Sequence, residues 1–327
     1  FQNDLDNIVR FYQQQGFLGA KVTGYQVNRD TSRHEVHIAI NVHEGPRSYV
    51  KAISLTDNHF FSGEKLGKQI TLKQDDPLLQ KKIVKSTNNI LNLYSDNGFL
   101  DAQIQTDVTL MADSQQAFVD FTIHEGPQYK IGGIEITGLN FTRPHVVNRE
   151  LTFKKGQIVN YSRLLNSQRQ LYLTGLFRSV FISLNPPEAP DSTLRTVLID
   201  IREKAPAQFN VSGGYGSVEK FRVRSEVYYD NLWGTARKAG IAAKYSSLYL
   251  GAEASFTEPW TFHTRFRTDL NLFADYLKEP GYNLRSIGAL LTVGRKFMQR
   301  SNVLISYRHE NNYLSNIKVT EIPQRPE

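Results

Sequence analysis

At 327 residues, 40% of them hydrophobic, the chain has room for two to four domains and ample buried core. Its net charge of +7 comes from interspersed acids and bases with no block of like sign, which argues against a nucleic-acid-binding tail. Cysteine is absent, which removes disulfides and cysteine-based metal sites, and no run of about 18 apolar residues offers a membrane helix.

The chain opens at Phe1 without an initiator Met, inside a pattern already under way, and reads as a processed or trimmed product. Leu5, Ile8, Val9 and Tyr12 fall at helical spacing, and Gly16 closes that helix in the phrase Tyr12-Gln-Gln-Gln-Gly16-Phe17-Leu18-Gly19-Ala20. Two alternating segments follow, and the second ends Ile40-Asn-Val42-His43-Glu44-Gly45-Pro46. Tyr49–Leu55 then alternates as a strand. Ser62 caps a short helix through Leu66 and Ile70, and Asp76-Pro77 supplies an N-cap with proline at the first helical position. Leu79, Ile83, Thr87, Ile90, Leu91 and Tyr94 share one helical face, and Gly98 stops it in a second copy of the phrase, Tyr94-Ser-Asp-Asn-Gly98-Phe99-Leu100-Asp101-Ala102.

Strands at about 103–111 and 117–124, joined through 112–114, lead to Phe121-Thr-Ile123-His124-Glu125-Gly126-Pro127. A third, looser copy begins with strand Tyr129–Ile136. Thr142 caps a helix bearing Val146, Val147 and Leu151; Ser162 caps another bearing Leu164, Leu165, Gln168, Leu171 and Tyr172. Strands near 179–184 and 195–202 flank a loop with Pro186-Pro187 and Pro190, and the copy ends Ile199-Asp-Ile201-Arg-Glu203-Lys-Ala-Pro206. The unit is thus strand, helix, helix, strand, strand at a spacing of about 80 residues, too long for a solenoid repeat. The first copy keeps only its second helix and two strands.

From Ala207 the helical pattern gives way to alternation. Phe209, Val211, Gly213 and Tyr215 take one face of the first segment; Phe221, Val223, Ser225, Val227 and Tyr229 oppose Arg222, Arg224, Glu226 and Tyr228 in the next. Segments around 238–245, 250–257 and 265–272 repeat the pattern. Strands of about ten residues with one apolar and one charged face suit a transmembrane β-barrel, with Tyr229, Trp233, Tyr245, Tyr249 and Trp260 as interfacial aromatics. Periodicity alone leaves a soluble sandwich open.

Catalytic and metal chemistry are not evident. His34 and His37 face opposite ways on a strand, and His43 falls at the Glu-Gly-Pro turn. Gly213-Gly214-Tyr215-Gly216 lacks the spacing and the following helix of a phosphate loop, no Gly-x-Ser-x-Gly or His-Glu-x-x-His pattern occurs, and Asp75-Asp76 and Glu258 read as cap and turn residues. The reading is of no enzyme, no cofactor and no metal.

The recurring Gly-Phe-Leu-Asp/Gly-Ala and Glu-Gly-Pro phrases, with Thr56-Asp-Asn58 and Gly138-Leu-Asn140 after the first strands, resemble the polypeptide-transport-associated (POTRA) repeat over residues 4–204. Tyr229-Asp-Asn-Leu-Trp233-Gly234 and Ser255-Phe-Thr-Glu-Pro-Trp260 resemble the first two hairpin turns of the BamA/TamA outer-membrane assembly superfamily, and Arg202–Phe209 resembles its repeat–barrel junction. The resemblance implies a partial repeat at 1–45, repeats at 46–126 and 127–205, and the N-terminal part of an outer-membrane barrel of seven or eight strands at 206–327, short of a complete one. The fold class is therefore α+β repeats followed by an all-β antiparallel barrel, and an open barrel edge in lipid makes a truncated chain the preferred account.

It further implies assembly, insertion or translocation of outer-membrane proteins, with repeats in the periplasm of a Gram-negative-type envelope. Partners are unfolded outer-membrane or secreted polypeptides, outer-membrane lipid, and periplasmic or inner-membrane accessory proteins. Clients would add a strand to open repeat edges through main-chain bonds, at Val22 and Tyr25, at Ile104, Thr106 and Val108, and at Phe181. The barrel would work at a seam along its first strand, with Phe209, Val211, Gly213, Gly214 and Gly216, where glycines weaken pairing. The alternatives are a pore that secretes one dedicated polypeptide and a soluble periplasmic scaffold.

Overall fold

The computed structural model describes residues 1–318 apart from 31, 112–114, 187–188, 190–191 and 299–300. The connections expected at 112–114 and around Pro187 and Pro190 lie outside the described residues. The chain divides into two compact units, Phe1–Ile134 with Phe153–Leu165 and Leu184–Val197, and Glu135–Thr152 with Asn166–Ser183 and Leu198–Glu327.

The first copy contributes α1 (Gln2–Gln14), β1 (Lys21–Asp30) and β2 (Glu35–His43), the strands forming an antiparallel pair. The second follows the expected order: β3 (Tyr49–Thr56), α2 (Gly63–Gly67), α3 (Gln80–Ser95), β4 (Gln103–Leu110) and β5 (Gln116–His124). Its sheet runs β3-β5-β4, with β3 parallel and β4 antiparallel to the central β5. Apolar residues on the helix-facing side of that sheet meet α3 in a core of Val50, Ile83, Val119 and Phe121, continued by Leu66, Ile90, Tyr94 and Ile123. Burying each such side chain is worth about 1.5–3 kcal/mol. The third copy repeats the plan with β6 (Lys130–Thr137), α4 (Pro144–Asn148), α5 (Tyr161–Leu173), β7 (Phe177–Leu184) and β8 (Leu194–Glu203), the sheet order being β6-β8-β7.

Glycine stops fall where the sequence puts them. Gly16 and Gly98 adopt φ of +96° and +89°, the left-handed region where an added Cβ is strained. Ser62 caps α2, its side chain accepting from Lys65 N.

Three other caps differ from expectation. Asp76-Pro77 does not start α3, because residues 75–78 run beside β3: Asp75 N donates to Val50 O at 2.8 Å, Val50 N to Asp76 O at 2.9 Å, and Leu78 N to Ser48 O at 2.9 Å. The helix begins after Leu79, and the Asp76 carboxylate instead accepts from Lys82 Nζ at 2.6 Å, which holds it below the usual carboxylate range. Thr142 yields to Arg143 as the N-cap of α4, since Pro144 fixes the first helical position. Ser162 lies inside α5; Asn160 Oδ1 accepts from Arg163 N at 2.8 Å, while Ser162 N and Oγ donate to the Asp96 carboxylate at 2.7 and 2.8 Å. On α5 the buried stripe is Leu164, Ser167 and Leu171, with Leu165 and Tyr172 exposed. Leu151 follows α4 rather than belonging to it.

The last third is one antiparallel sheet of seven described strands in sequential order: β9 (Ala207–Gly216), β10 (Lys220–Leu232), β11 (Arg237–Ser246), β12 (Tyr249–Thr261), β13 (Phe266–Glu279), β14 (Tyr282–Met298) and β15 (Ser301–Ser315). Register keeps the two faces separate. Val227 stands opposite Ile241, and Ile241 opposite Ala254, on one face. The other carries ion pairs such as Lys244–Glu253 at 3.4 Å and Arg308–Glu310 at 2.6 Å. Gly240 and Gly288 sit opposite Tyr228 and Phe273, whose rings occupy the space a Cβ would need.

Of the expected interfacial aromatics, Tyr229 and Tyr245 lie on the apolar face and Trp233 is exposed in the β10–β11 turn. Tyr249 and Trp260 do not belong with them. Tyr249 points along the polar face and its hydroxyl donates to Asp275; Trp260 turns to Glu150 of the third repeat. Their polar atoms find acidic partners distant in sequence, a stronger pull than an aromatic's preference for an interface.

Candidate functional site: open strand edges and the joint with the large sheet

Strand order leaves β4, β7 and β9 at sheet edges among the described residues. Which backbone groups they present follows from hydrogen-bond alternation in antiparallel pairs. Met111 N donates to Gln116 O at 2.9 Å, so odd-numbered residues of β4 bond to β5. Ile104, Thr106 and Val108 therefore aim their N–H and C=O groups away from the sheet. The side chains of Ile104 and Thr106 turn inward: Ile104 packs on the repeat core and Thr106 Oγ1 lies 3.3 Å from Thr87 Oγ1. What this edge offers is main chain.

Asp230 N donates to Pro206 O at 2.8 Å, which pairs the even-numbered residues of β9 with β10. Phe209, Val211 and Gly213 thus turn their backbone groups away from β10, whereas Gly214 and Gly216 turn theirs to it. Phe209 and Val211 are 67% and 61% exposed. Neither conformation nor crowding forces glycine at 213 or 216: Gly213 has only Arg222 O at 3.8 Å, and Gly216 has open space around it. Gly214 lies beneath the Arg222 side chain, whose Nε is 3.0 Å from where a Cβ would stand.

The β7 edge differs from the expectation for Phe181. Asn185 N donates to Thr196 O at 2.9 Å, so alternation turns Val180 and Ile182 outward and Phe181 toward β8. Ile182 N is already occupied, donating to Gln168 Oε1 at 3.2 Å. Val22 and Tyr25 lie on the apolar face of the β1–β2 pair, with Tyr25 half-exposed and its ring 4.9 Å from Phe1.

A recurrent clamp was hidden in the Glu-Gly-Pro phrase. Glu125 Oε1 accepts His59 N at 2.9 Å, Phe60 N at 2.8 Å and the Tyr94 hydroxyl at 2.7 Å; burial and that carboxylate push the Tyr94 hydroxyl well above its usual range. In the third repeat Glu203 accepts Asn140 N at 2.9 Å and Phe141 and Thr142 N at 2.8 Å. Burial raises its carboxyl, but those donors outweigh burial and hold it below the usual range. In the first copy Glu44 stands beside the Tyr12 hydroxyl and raises it. The sequence signal was a glutamate at one place in all three copies.

The Glu203-held loop carries the large sheet's first turn. Arg143 N donates to Gly234 O at 2.9 Å and Asn231 Nδ2 to Thr142 Oγ1 at 2.8 Å. Gly234, at φ +72°, comes so close to Phe141 O that a Cβ would overlap it. The second turn is tied by Trp260 Nε1 donating to Glu150 Oε1 at 2.7 Å, with the Arg149 and Arg265 guanidinium groups 5.3 and 5.5 Å from the indole centre. Burial raises the Glu150 carboxyl against these partners and lowers Arg149. Among the described residues no group of three or more metal-ligating side chains gathers.

Tandem β-α-α-β-β repeats leading into an antiparallel sheet with one apolar face define a class, the repeat-bearing β-barrel proteins. Residues 1–45, 48–126 and 129–204 match the surface antigen variable number repeat, POTRA, and residues 231–325 match the Omp85 superfamily domain. The repeats alone cover more than half of the sequence, and the chain belongs to the POTRA-bearing Omp85 superfamily.

It is similar to the outer membrane protein assembly factor BamA of Neisseria meningitidis serogroup B, 28% identical over 266 residues, which are 80% of this chain and 33% of that protein. The chain spans about a third of the length of several curated relatives it matches. The crystal structure of Haemophilus ducreyi BamA lacking POTRA domains 1–3 superposes with a TM-score of 0.69 at 18% identity, over 82% of this chain and 51% of that one. CdiB from Acinetobacter baumannii gives a TM-score of 0.50 at 16% identity, over 85% and 56%. These two likenesses are of fold.

Proposed function

We propose that the protein acts in the assembly of outer-membrane proteins, without catalysis or cofactor, its repeats on the periplasmic side and its large sheet forming part of a barrel in the outer membrane. The observation that carries this reading is the row of outward backbone groups on β4 and β9. Such edges take an extended polypeptide by main-chain hydrogen bonds, which serve many client sequences with little side-chain selection. The β4 edge would receive an unfolded client, and the β9 edge would template its strands at the seam. The joint at Arg143–Gly234, Thr142–Asn231 and Glu150–Trp260 connects the last repeat to the turns of that sheet. Secretion of one dedicated polypeptide is the second reading, since outward main-chain groups would serve an exported chain as well as an inserted one.

The test is client folding in vesicles containing the protein. Gly213→Val with Gly214→Val strengthens β-propensity at the seam and is expected to slow insertion of an unfolded barrel client. An unchanged insertion rate overturns the seam role. Transport of a soluble polypeptide across the vesicle wall, with no client inserted, moves the conclusion to secretion.

A further inference from the structure

Two repeats of one design present their edge strands differently, and the difference resides in a single helix position. Thr71 N donates to Ser86 Oγ at 2.9 Å in the second repeat, and Thr152 N donates to Ser167 Oγ at 2.9 Å in the third. Ser86 and Ser167 are therefore equivalent, and so are the residues after them, Thr87 and Gln168. Thr87 is short. It meets the edge strand through the Thr106 hydroxyl, 3.3 Å away, and leaves the Thr106 main chain facing outward. Gln168 is longer by one carbon and an amide. It reaches past the strand's inner face, and its Oε1 accepts from Ile182 N at 3.2 Å.

Ile182 is the sixth of the eight residues of β7, and its N–H is one of the groups an added strand would need. A side-chain acceptor there removes one rung of the ladder. An incoming strand must displace the amide or leave its own carbonyl unpaired. On β4 the outward groups of Ile104, Thr106, Val108 and Leu110 form an uninterrupted series among the described residues.

We propose that Gln168 is an edge guard that closes the third repeat to strand addition, leaving β4 of the second repeat open to an extended polypeptide. This rests on the strand-addition reading above and specifies where it happens. The glutamine acts by occupying a donor, so any residue that keeps an acceptor at that reach keeps the edge closed.

The chain contains no cysteine, so single cysteines can be placed cleanly. Gln105→Cys marks β4 and Ser183→Cys marks β7, both at exposed positions. The probe is a ten-residue peptide of alternating valine and threonine with one cysteine at its centre, trapped by disulfide formation on the full chain in detergent. The parent background is expected to trap peptide at position 105 and little at 183. Gln168→Ala should raise trapping at 183 about 5- to 10-fold, the scale of one hydrogen bond, with position 105 unchanged. Gln168→Glu, which keeps an acceptor oxygen, should leave 183 closed. Faster amide exchange at Ile182 in Gln168→Ala, with Val197 and Ile199 of the central strand β8 still protected, shows that the repeat remains folded. Equal trapping at 105 and 183 in the parent, or no rise in the folded alanine variant, overturns the guard and leaves strand addition standing. Trapping at neither edge removes strand addition itself and the guard with it.

Discussion

Replacing Glu203 by glutamine tests the clamp that holds the Asn140–Thr142 loop beneath the large sheet's first turn. Glu203 Oε2 accepts from Asn140 and Phe141 N, and Oε1 from Thr142 N. Glutamine keeps one acceptor oxygen and turns an NH2 group toward a backbone N–H. Asn140 and Phe141 are exposed, so water replaces what they lose; Thr142 is 5% exposed and its N–H has no such recourse. A bond to a charged acceptor is worth about 1.5–3 kcal/mol, so the loop should lose about 2 kcal/mol, or about 30-fold in its opening equilibrium. Amide exchange of the full chain in detergent reads this directly at Thr142.

The sign with pH is fixed. The Glu203 carboxyl lies below its usual range, so its contribution is present above the unfolded-state value of about 4.3 and is lost as pH falls through the lowered folded value. After correction for intrinsic exchange, the parent should lose Thr142 protection on acidification below about pH 4, while the glutamine variant stays flat. Equal exchange at Thr142 in parent and variant at neutral pH would refute the clamp.

Further outcomes follow from neighbouring contacts. Tyr94→Phe removes the hydroxyl from a fully buried ring and one donor from Glu125, and should lower the second repeat's stability by about 1–2 kcal/mol in urea titrations followed by exchange. Glu150 has a raised carboxyl in the fold, so its ionisation opposes the joint: the Trp260 environment should tighten as pH falls from 7.5 to 5. Glu150→Gln should abolish that dependence, read by fluorescence in a Trp233→Phe background with Trp260 the remaining indole. Gly234→Ala faces both a positive φ and the Phe141 carbonyl, and should cost about 2 kcal/mol or more, seen as faster exchange of the Arg143 amide.

Much of the fold was legible because its signals are local. Alternation from Phe209 to Leu272 follows the pleat of the strands, and Gly16 and Gly98 stop helices through their own φ angles. The caps were less legible, because several side chains competed for each role and the winner depended on tertiary neighbours. Asp76 lost its cap to the pairing of residues 75–78 with β3, and Ser162 was claimed by Asp96, 66 residues earlier. Trp260 looked like an interfacial aromatic until Glu150, 110 residues away, supplied an acceptor. The edges of β4 and β7 could be read as strands, but not which residues turn their backbone outward. That parity, which moves the outward groups from Phe181 to Val180 and Ile182, is set by register with the neighbouring strand.

Each helix-stopping glycine also belongs to the next repeat. Gly16 O accepts from Ser48 N and Gly98 O accepts from Tyr129 N, both at 2.8 Å, so the residue that ends one helix fastens the opening strand of its successor. At Gly98 a side chain would strike both Ile158 and the Tyr129 carbonyl, so helix stop and coupling cannot be altered separately. Stability in such an array is a sum of unit terms and nearest-neighbour terms, and here one residue enters both. Order in one repeat therefore propagates to the adjacent one, and a lesion at Gly98 should fray the array from the middle outward rather than unfold a single unit.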